Sequence, residues 1–315
     1  MIEETHVAGG GGEVTKPDEI RPLPVVRSAI GGLLMGLANL VPGISGGTMI
    51  VIMGLYEEFV RSIADVTRLR LTRRNVMFLG IVGLTALGAI ASLAGVMSRT
   101  VTLHRSAMFS LFIGMTLGGV PVLVRMSARV KVASVVGLAL GLIIMVIIVA
   151  EGDRSPDREA IRTAVARGTF IIEPNYAGDL TAGALGMAAM VLPGISGAYM
   201  LLVLGRYEPI LASVSLAKTY VLSLGDDGVP QTFMRVVIPT SIGALTSLVV
   251  LSGFLKWMLV KHRDAMVGLL LGILLGSILG IWPFDKGSGP QDYAAGAALS
   301  VLGFAATALL SRIKA

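Results

Sequence analysis

Two short stretches of this chain carry the residue types from which an anion site is made. Residues 40–59 read LVPGISGGTMIVIMGLYEEF, and 151 positions later residues 191–210 read VLPGISGAYMLLVLGRYEPI. Pro42 removes a backbone donor and interrupts a helix, while Gly43, Gly46 and Gly47 accept positive φ. Ser45 or Thr48 is placed to cap the helix that restarts after the break. A helix N-terminus presents free N–H groups and the positive end of the helix dipole, and both attract anions. Ser45 and Ser196 add hydroxyl donors, a set that suits phosphate better than a cation. The candidate phosphate-binding residues are therefore Gly43, Ser45, Gly46, Gly47 and Thr48, with Gly194, Ser196, Gly197, Tyr199 and Arg206 in the second copy. Arg206 stands where the first copy has Leu55, which biases one face toward anions.

Further polar residues sit beside apolar runs. Glu57 and Glu208 follow Tyr56 and Tyr207 in the two copies. They are candidate sites for a coupling proton or sodium ion, or else interfacial Tyr-Glu anchors. His104-Arg105 and His262-Arg263 could capture a lipid headgroup, the imidazoles titrating near neutral pH. Alternatively they are snorkelling anchors. Asn39 is polar within an apolar run, and its repeat equivalent is Met190. Arg125, Arg129 and Lys131 read as loop charges, and the 16 Met as packing filler.

Enzyme chemistry finds little support. The three His are His6, His104 and His262, Cys is absent, and no HExxH spacing occurs. The GISG motif lacks the strand–turn–helix setting of a nucleophile elbow. The expectation is a non-enzyme with no cofactor, no metal and no nucleic-acid partner.

These residues must be positioned by membrane helices. The chain has 315 residues, 54% hydrophobic and 15% charged, with mean hydropathy +0.81. Soluble domains carry roughly 25% charged residues. Runs 76–98, 106–124, 132–150, 236–255, 265–283 and 293–310 are nearly uncharged, each about the ~17–25 residues a span requires. Backbone groups in lipid must be satisfied within the segment, so these runs are helices. The 40 Gly suit close helix packing.

The chain is also written twice. Beyond the shared PGISG, HRSAMFSLFIGMTLG (104–118) returns as HRDAMVGLLLGILLG (262–276). This predicts a flexible cytoplasmic tail (1–26), a first membrane repeat (27–150), a polar connecting loop (151–178) and a second repeat (179–315). If residues 28–60 and 179–211 are re-entrant hairpins, 16 Lys and Arg fall on the side of the termini and 10 on the other. If both stretches span instead, the split narrows to 14 and 12. The positive-inside rule favours the first arrangement. A hairpin plus three transmembrane helices is an odd unit, so the second copy inserts upside down, as in many secondary transporters. The expected fold is thus an all-α polytopic membrane protein of two inverted-topology repeats, in the cytoplasmic membrane, with both termini cytoplasmic. The two turns would meet near the bilayer midplane.

At the doubled motif, NLVPGISGGTMIVIMGLYEEF and LPGISGAYMLLVLGRYE, the chain resembles a prokaryotic polytopic family formerly catalogued as a domain of unknown function. Its members are identified as polyprenyl-phosphate translocases, and the resemblance runs from Arg27 onward. It implies a flippase returning undecaprenyl phosphate, or its decaprenyl counterpart, from the outer to the inner leaflet for envelope polymer synthesis. The partners implied are that lipid, the bilayer and a coupling proton or sodium ion. Alternating access would pass the phosphate between the Ser45 and Ser196 turns. The second motif departs from the first at Ala198 and Tyr199, so the turns need not bind equally. The alternative readings are a transporter of a small soluble anion and a membrane enzyme acting on prenyl phosphates.

Overall fold

A computed structural model describes residues 25–41, 44–126, 131–153, 175–207, 209–210, 213, 231–284 and 287–311. Among these the regular elements are all helical. In chain order they are α1 (Val25–Asn39), α2 (Gly46–Ile52), α3 (Tyr56–Thr67), α4 (Arg73–Leu103), α5 (Arg105–Met126) and α6 (Val132–Asp153). There follow α7 (Tyr176–Val191), α8 (Gly197–Val203), α9 (Gln231–Lys261), α10 (Arg263–Gly280) and α11 (Pro290–Leu310). Helices α4, α5, α6, α9, α10 and α11 contain the six stretches long and apolar enough to cross a membrane. Every apolar run read from the sequence lies in one of them, except that 265–283 overshoots α10. That helix stops at Gly280 because Trp282 precedes Pro283, and the residue before a proline is pushed out of the helical region.

The duplication reappears in the helix boundaries. Helices α1 and α7, and likewise α2 and α8, begin 151 residues apart, while α4 and α9, α5 and α10, and α6 and α11 begin 158 apart. The corner residues His104 (φ −131, ψ 48) and His262 (φ −129, ψ 45) have nearly the same backbone conformation. Gly54 and Gly205 both have φ +65. After each glycine, the next N–H donates five residues back: Leu55 to Ile50 at 3.0 Å and Arg206 to Leu201 at 2.9 Å. The left-handed glycine ends each short helix and satisfies its last carbonyls.

Packing crosses between the copies. Helix α5 lies along α11, and α6 lies along α10. Ser300 donates to the Ser110 carbonyl at 2.8 Å and Thr307 to the Met115 carbonyl at 3.3 Å, so α5 and α11 run parallel. Helices α6 and α10 are parallel too: Gly268 lies against Ser134, Gly272 against Leu138, and Gly276 against Met145. A methyl at Gly114 or Gly268 would overlap the carbonyl of Ser300 or Ser134. Such contact is how membrane helices gain dispersion energy where no hydrophobic effect separates helix from lipid. Within each copy α1 packs on α4 and α7 on α9.

One end of the bundle gathers α3, the start of α4, the end of α5 and the α9–α10 corner. Arg74 pairs with Glu58 at 2.9 Å, Lys256 with Asp65 at 2.5 Å, and Lys131 with Asp264 at 2.6 Å. The basic segments 57–75, 125–131 and 256–263 thus touch one another. Aromatic groups mark both ends of α10: Phe254 and Trp257 at its start, Trp282, Phe284 and Tyr293 at its finish. The 18 residues between rise about 27 Å, close to a ~30 Å hydrocarbon core. The core is centred on α2 and α3, with Ile50, Val51, Ile52 and Met53 fully buried.

Candidate functional site

The two Pro-Gly-Ile-Ser-Gly turns are in contact. Ser45 Oγ donates to the Leu192 carbonyl at 3.1 Å, and the Gly194 N–H donates to Thr48 Oγ1 at 2.9 Å. A methyl on Gly47 would meet the Leu192 carbonyl at 3.3 Å. Both hydroxyls of the first turn are therefore committed to the backbone of the second. Ser45 occupies the N-cap position of α2 but makes no side-chain cap bond, which corrects the expectation of a cap there. The hydroxyl donates instead to the carbonyl of Leu192, the C-cap residue of α7. In the second copy the expected cap forms: Ser196 Oγ accepts from the Tyr199 N–H at 3.4 Å. Asn39 packs directly on Gly46, as Met190 does on Gly197.

Burial separates the short helices that follow the two turns. Every residue of α2 is buried, whereas no residue of α8 is. Gly46, Gly47 and Thr48 are sealed, while Gly197 and Tyr199 are half-exposed and Ser196 is 7% exposed. Gly194 is buried with φ +95, and a side chain there would press on the Ile273 carbonyl. Gly43, Pro42 and Glu208 lie outside the described residues.

Arg206 has an acidic partner that sequence reasoning missed. Its Nε donates to Asp179 Oδ1 at 2.7 Å, and Asp179 is 0% exposed. The terminal Nη2 lies 2.5 Å from the same oxygen without hydrogen-bond geometry, and Asp179 Oδ2 is buried with no partner among the described residues. The signal was present in the sequence: Asp179 is the one charge in YAGDLTAGALGMAAMV, and a lone acid in an apolar helix calls for a cation. The first copy has Ser28 and Leu55 at these positions. There Arg27 instead donates to the Met53 carbonyl. Both copies thus tie the start of their first helix to the end of the short one with an arginine, placed on opposite strands of the tie.

The remaining candidates divide. Glu57 Oε1 and Arg263 lie 2.5 Å apart, so two residues singled out from unrelated motifs form one ion pair. Arg263 also donates to the Met126 carbonyl at 2.5 Å. Tyr56 opens α3, outside the six candidate spans, and is 0% exposed, its hydroxyl without a partner among the described residues. Burial pushes its phenol up, which favours the neutral form. Tyr207 is half-buried. His104 is exposed at the far end of the bundle, where Arg105 stacks over Phe109 at 5.3 Å. His262 stacks edge-on against Trp257 at 5.0 Å. No group of three or more potential metal ligands occurs among the described residues.

Comparison with known proteins extends these observations. A family model described as undecaprenyl phosphate translocase-like matches residues 35–297. The chain is 30% identical over 267 residues to a polyprenyl-phosphate transporter of Vibrio cholerae, covering 81% of this chain and 77% of that protein. It is 27% identical over 257 residues to a polyprenyl-phosphate transporter of Staphylococcus aureus, covering 80% and 84% respectively. No solved structure matches.

Proposed function

Since this chain belongs to the undecaprenyl phosphate translocase-like family, we propose that two inverted repeats carry the lipid phosphate past the paired turns. The chain is a polyprenyl-phosphate transporter in a multi-pass membrane fold. The repeats are residues 27–150 and 179–315, joined by the polar loop 151–178, and each opens with a re-entrant hairpin. The parallel pairings of α5 with α11 and α6 with α10 support the inversion. Arg263 at the start of α10 meets Met126 at the end of α5, so these equivalent helices run oppositely. The hairpins are supported by Arg27 reaching Met53 while Asn39 rests on Gly46.

One observation carries the mechanism: the turns are hydrogen-bonded to each other through Ser45 and Thr48. Non-helical backbone at membrane depth persists only inside protein or beside a water-filled cavity. The sealed first turn acts as a strut, and the second turn, where Ser196 caps the partly exposed helix that carries Gly197 and Tyr199, is the phosphate's contact point at mid-membrane. Movement of α1, α4, α7 and α9 against α5, α6, α10 and α11 exposes that turn to each leaflet in turn, while the prenyl tail stays in lipid. The lipid moves from the outer to the inner leaflet of the cytoplasmic membrane, with a proton or sodium ion as the coupling ion.

Leaflet exchange of a labelled prenyl phosphate in reconstituted vesicles tests this. A hydrogen bond to a charged group contributes about 1.5–3 kcal/mol. Ser196→Ala should therefore slow exchange roughly 10- to 100-fold, with a loss of stability no larger than that of a helix cap, about 0.5–2 kcal/mol. Exchange at the parent rate would remove the second turn from the path.

A further inference from the structure

A second feature lies at the end of the bundle bearing the basic block Arg68–Arg74. A pocket of about 280 Å³ opens between α3 and the α9–α10 corner. Its polar lining is Glu57, Arg61, Lys256 and Arg263, three cations against one acid. Even with Asp65, which pairs with Lys256, positive charge remains in excess. Arg61 is exposed and makes no ion pair or hydrogen bond among the described residues. The Arg263–Glu57 pair is exposed, 47% and 37% for the two side chains, and ion pairs so exposed contribute only about 0–1 kcal/mol. A phosphate dianion can therefore recruit these cations at little cost.

The rest of the lining is apolar: Val60, Leu259 and Val260. Val260 is 76% exposed and Trp257, one turn before it, 47%, so the apolar wall continues onto the lipid-facing surface. A pocket with cations at its rim and a greasy wall open to the bilayer matches a phosphate joined to an isoprenoid chain. The sequence of the other copy does not repeat this set of charges. There the repeat offsets put Ala212 in place of Arg61 and Ser98 in place of Lys256, and only Glu208 and Arg105 correspond.

We infer that this pocket binds the phosphate headgroup of the prenyl lipid on the face of the basic block. The inference rests on the transporter reading above and adds sidedness to it. A binding site leaves the leaflet equilibrium of the lipid unchanged. It lengthens the headgroup's stay at that face, where Arg61 supplies the free charge and Arg263 exchanges Glu57 for phosphate.

The two Trp, Trp257 and Trp282, permit a direct titration. In full-length protein carrying Trp282→Phe, Trp257 is the sole reporter, one turn from the pocket. Farnesyl phosphate should quench it saturably, and neither farnesol nor inorganic phosphate should do so at the same concentrations. Arg61→Glu should weaken farnesyl phosphate at least about tenfold, and Arg61→Lys should restore most of the affinity. Because Arg61 is exposed and unpaired, both variants should melt with the parent. Arg61→Glu binding within twofold of the parent would overturn the site, as would equal saturation by farnesol. Saturation by inorganic phosphate alone would reassign the pocket to a soluble anion and overturn the lipid headgroup. Leaflet exchange by the same proteins separates the two levels. Exchange that persists while Arg61→Glu leaves affinity unchanged removes the pocket and keeps the transporter, whereas no exchange by the parent removes the transporter itself.

Discussion

At the scale of single residues, the Asp179–Arg206 pair holds a carboxylate fully buried with one oxygen unpartnered among the described residues. The Arg206 side chain is 14% exposed. A buried pair of this kind contributes little net stability, because desolvation offsets its attraction, yet removing one member strands a buried charge. Arg206→Leu, which restores the first copy's residue, should destabilise the protein by about 3–5 kcal/mol. Adding Asp179→Ser, so that both positions match the first copy, should recover most of that loss. Thermal unfolding in detergent measures both effects, and a double variant no more stable than Arg206→Leu alone would contradict the pairing. Arg206 illustrates what one sequence hides. Its charge was legible as an exception to the repeat, but its neutralisation depends on Asp179, 27 positions away across a turn. The Ser45–Leu192 bond lies further beyond reach, since it joins residues 147 apart through the backbone of one partner. In this structure the Ser45 hydroxyl, a candidate phosphate donor, is directed to that carbonyl.

At the scale of elements, the legible features were those repeated along the chain. Hydropathy placed all six long helices, because in lipid a helix must satisfy its own backbone and its composition alone then announces it. Helix partners were illegible, since any Gly-rich face can pack on any other. The structure resolves that ambiguity through backbone contact. Gly268 and Gly88 make the contrast: a methyl at Gly268 would strike the Ser134 carbonyl, whereas nothing lies within 4 Å of one at Gly88. Overfilling a packed seam costs about 1–3 kcal/mol, while Gly→Ala at an open helical position gains up to ~1 kcal/mol. Gly268→Ala should therefore lower the melting temperature and Gly88→Ala should hold or raise it. Equal behaviour of the two variants would mean that the α6–α10 seam is not packed as described.

At the scale of the whole molecule, the exchange of partners between copies bears on how transport can occur. Helix α6 of the first copy packs on α10 of the second, and α11 of the second packs on α5 of the first. A motion of one copy as a rigid body would have to break both glycine seams, which the close contacts at Gly114 and Gly268 oppose. The mobile unit is therefore better drawn from α1, α4, α7 and α9, whose main seams, α1 with α4 and α7 with α9, stay within a copy. It moves with α3, on which α9 also packs, against the core of α5, α6, α10 and α11. The proposed inversion fixes where the ends of that core lie. His104 and His262 share one backbone conformation and are both exposed, yet inverted repeats put them on opposite faces. Cys is absent from the chain, so His104→Cys and His262→Cys each introduce a single thiol. In intact cells a membrane-impermeant maleimide should label His104→Cys and leave His262→Cys unlabelled until the membrane is opened. The basic block at 68–74 sets this direction, because Arg and Lys accumulate on the cytoplasmic side. Labelling of both thiols from the same side would show that the copies are parallel. The two turns would then approach from one face, and passage of the phosphate between opposed turns would lose its geometric basis.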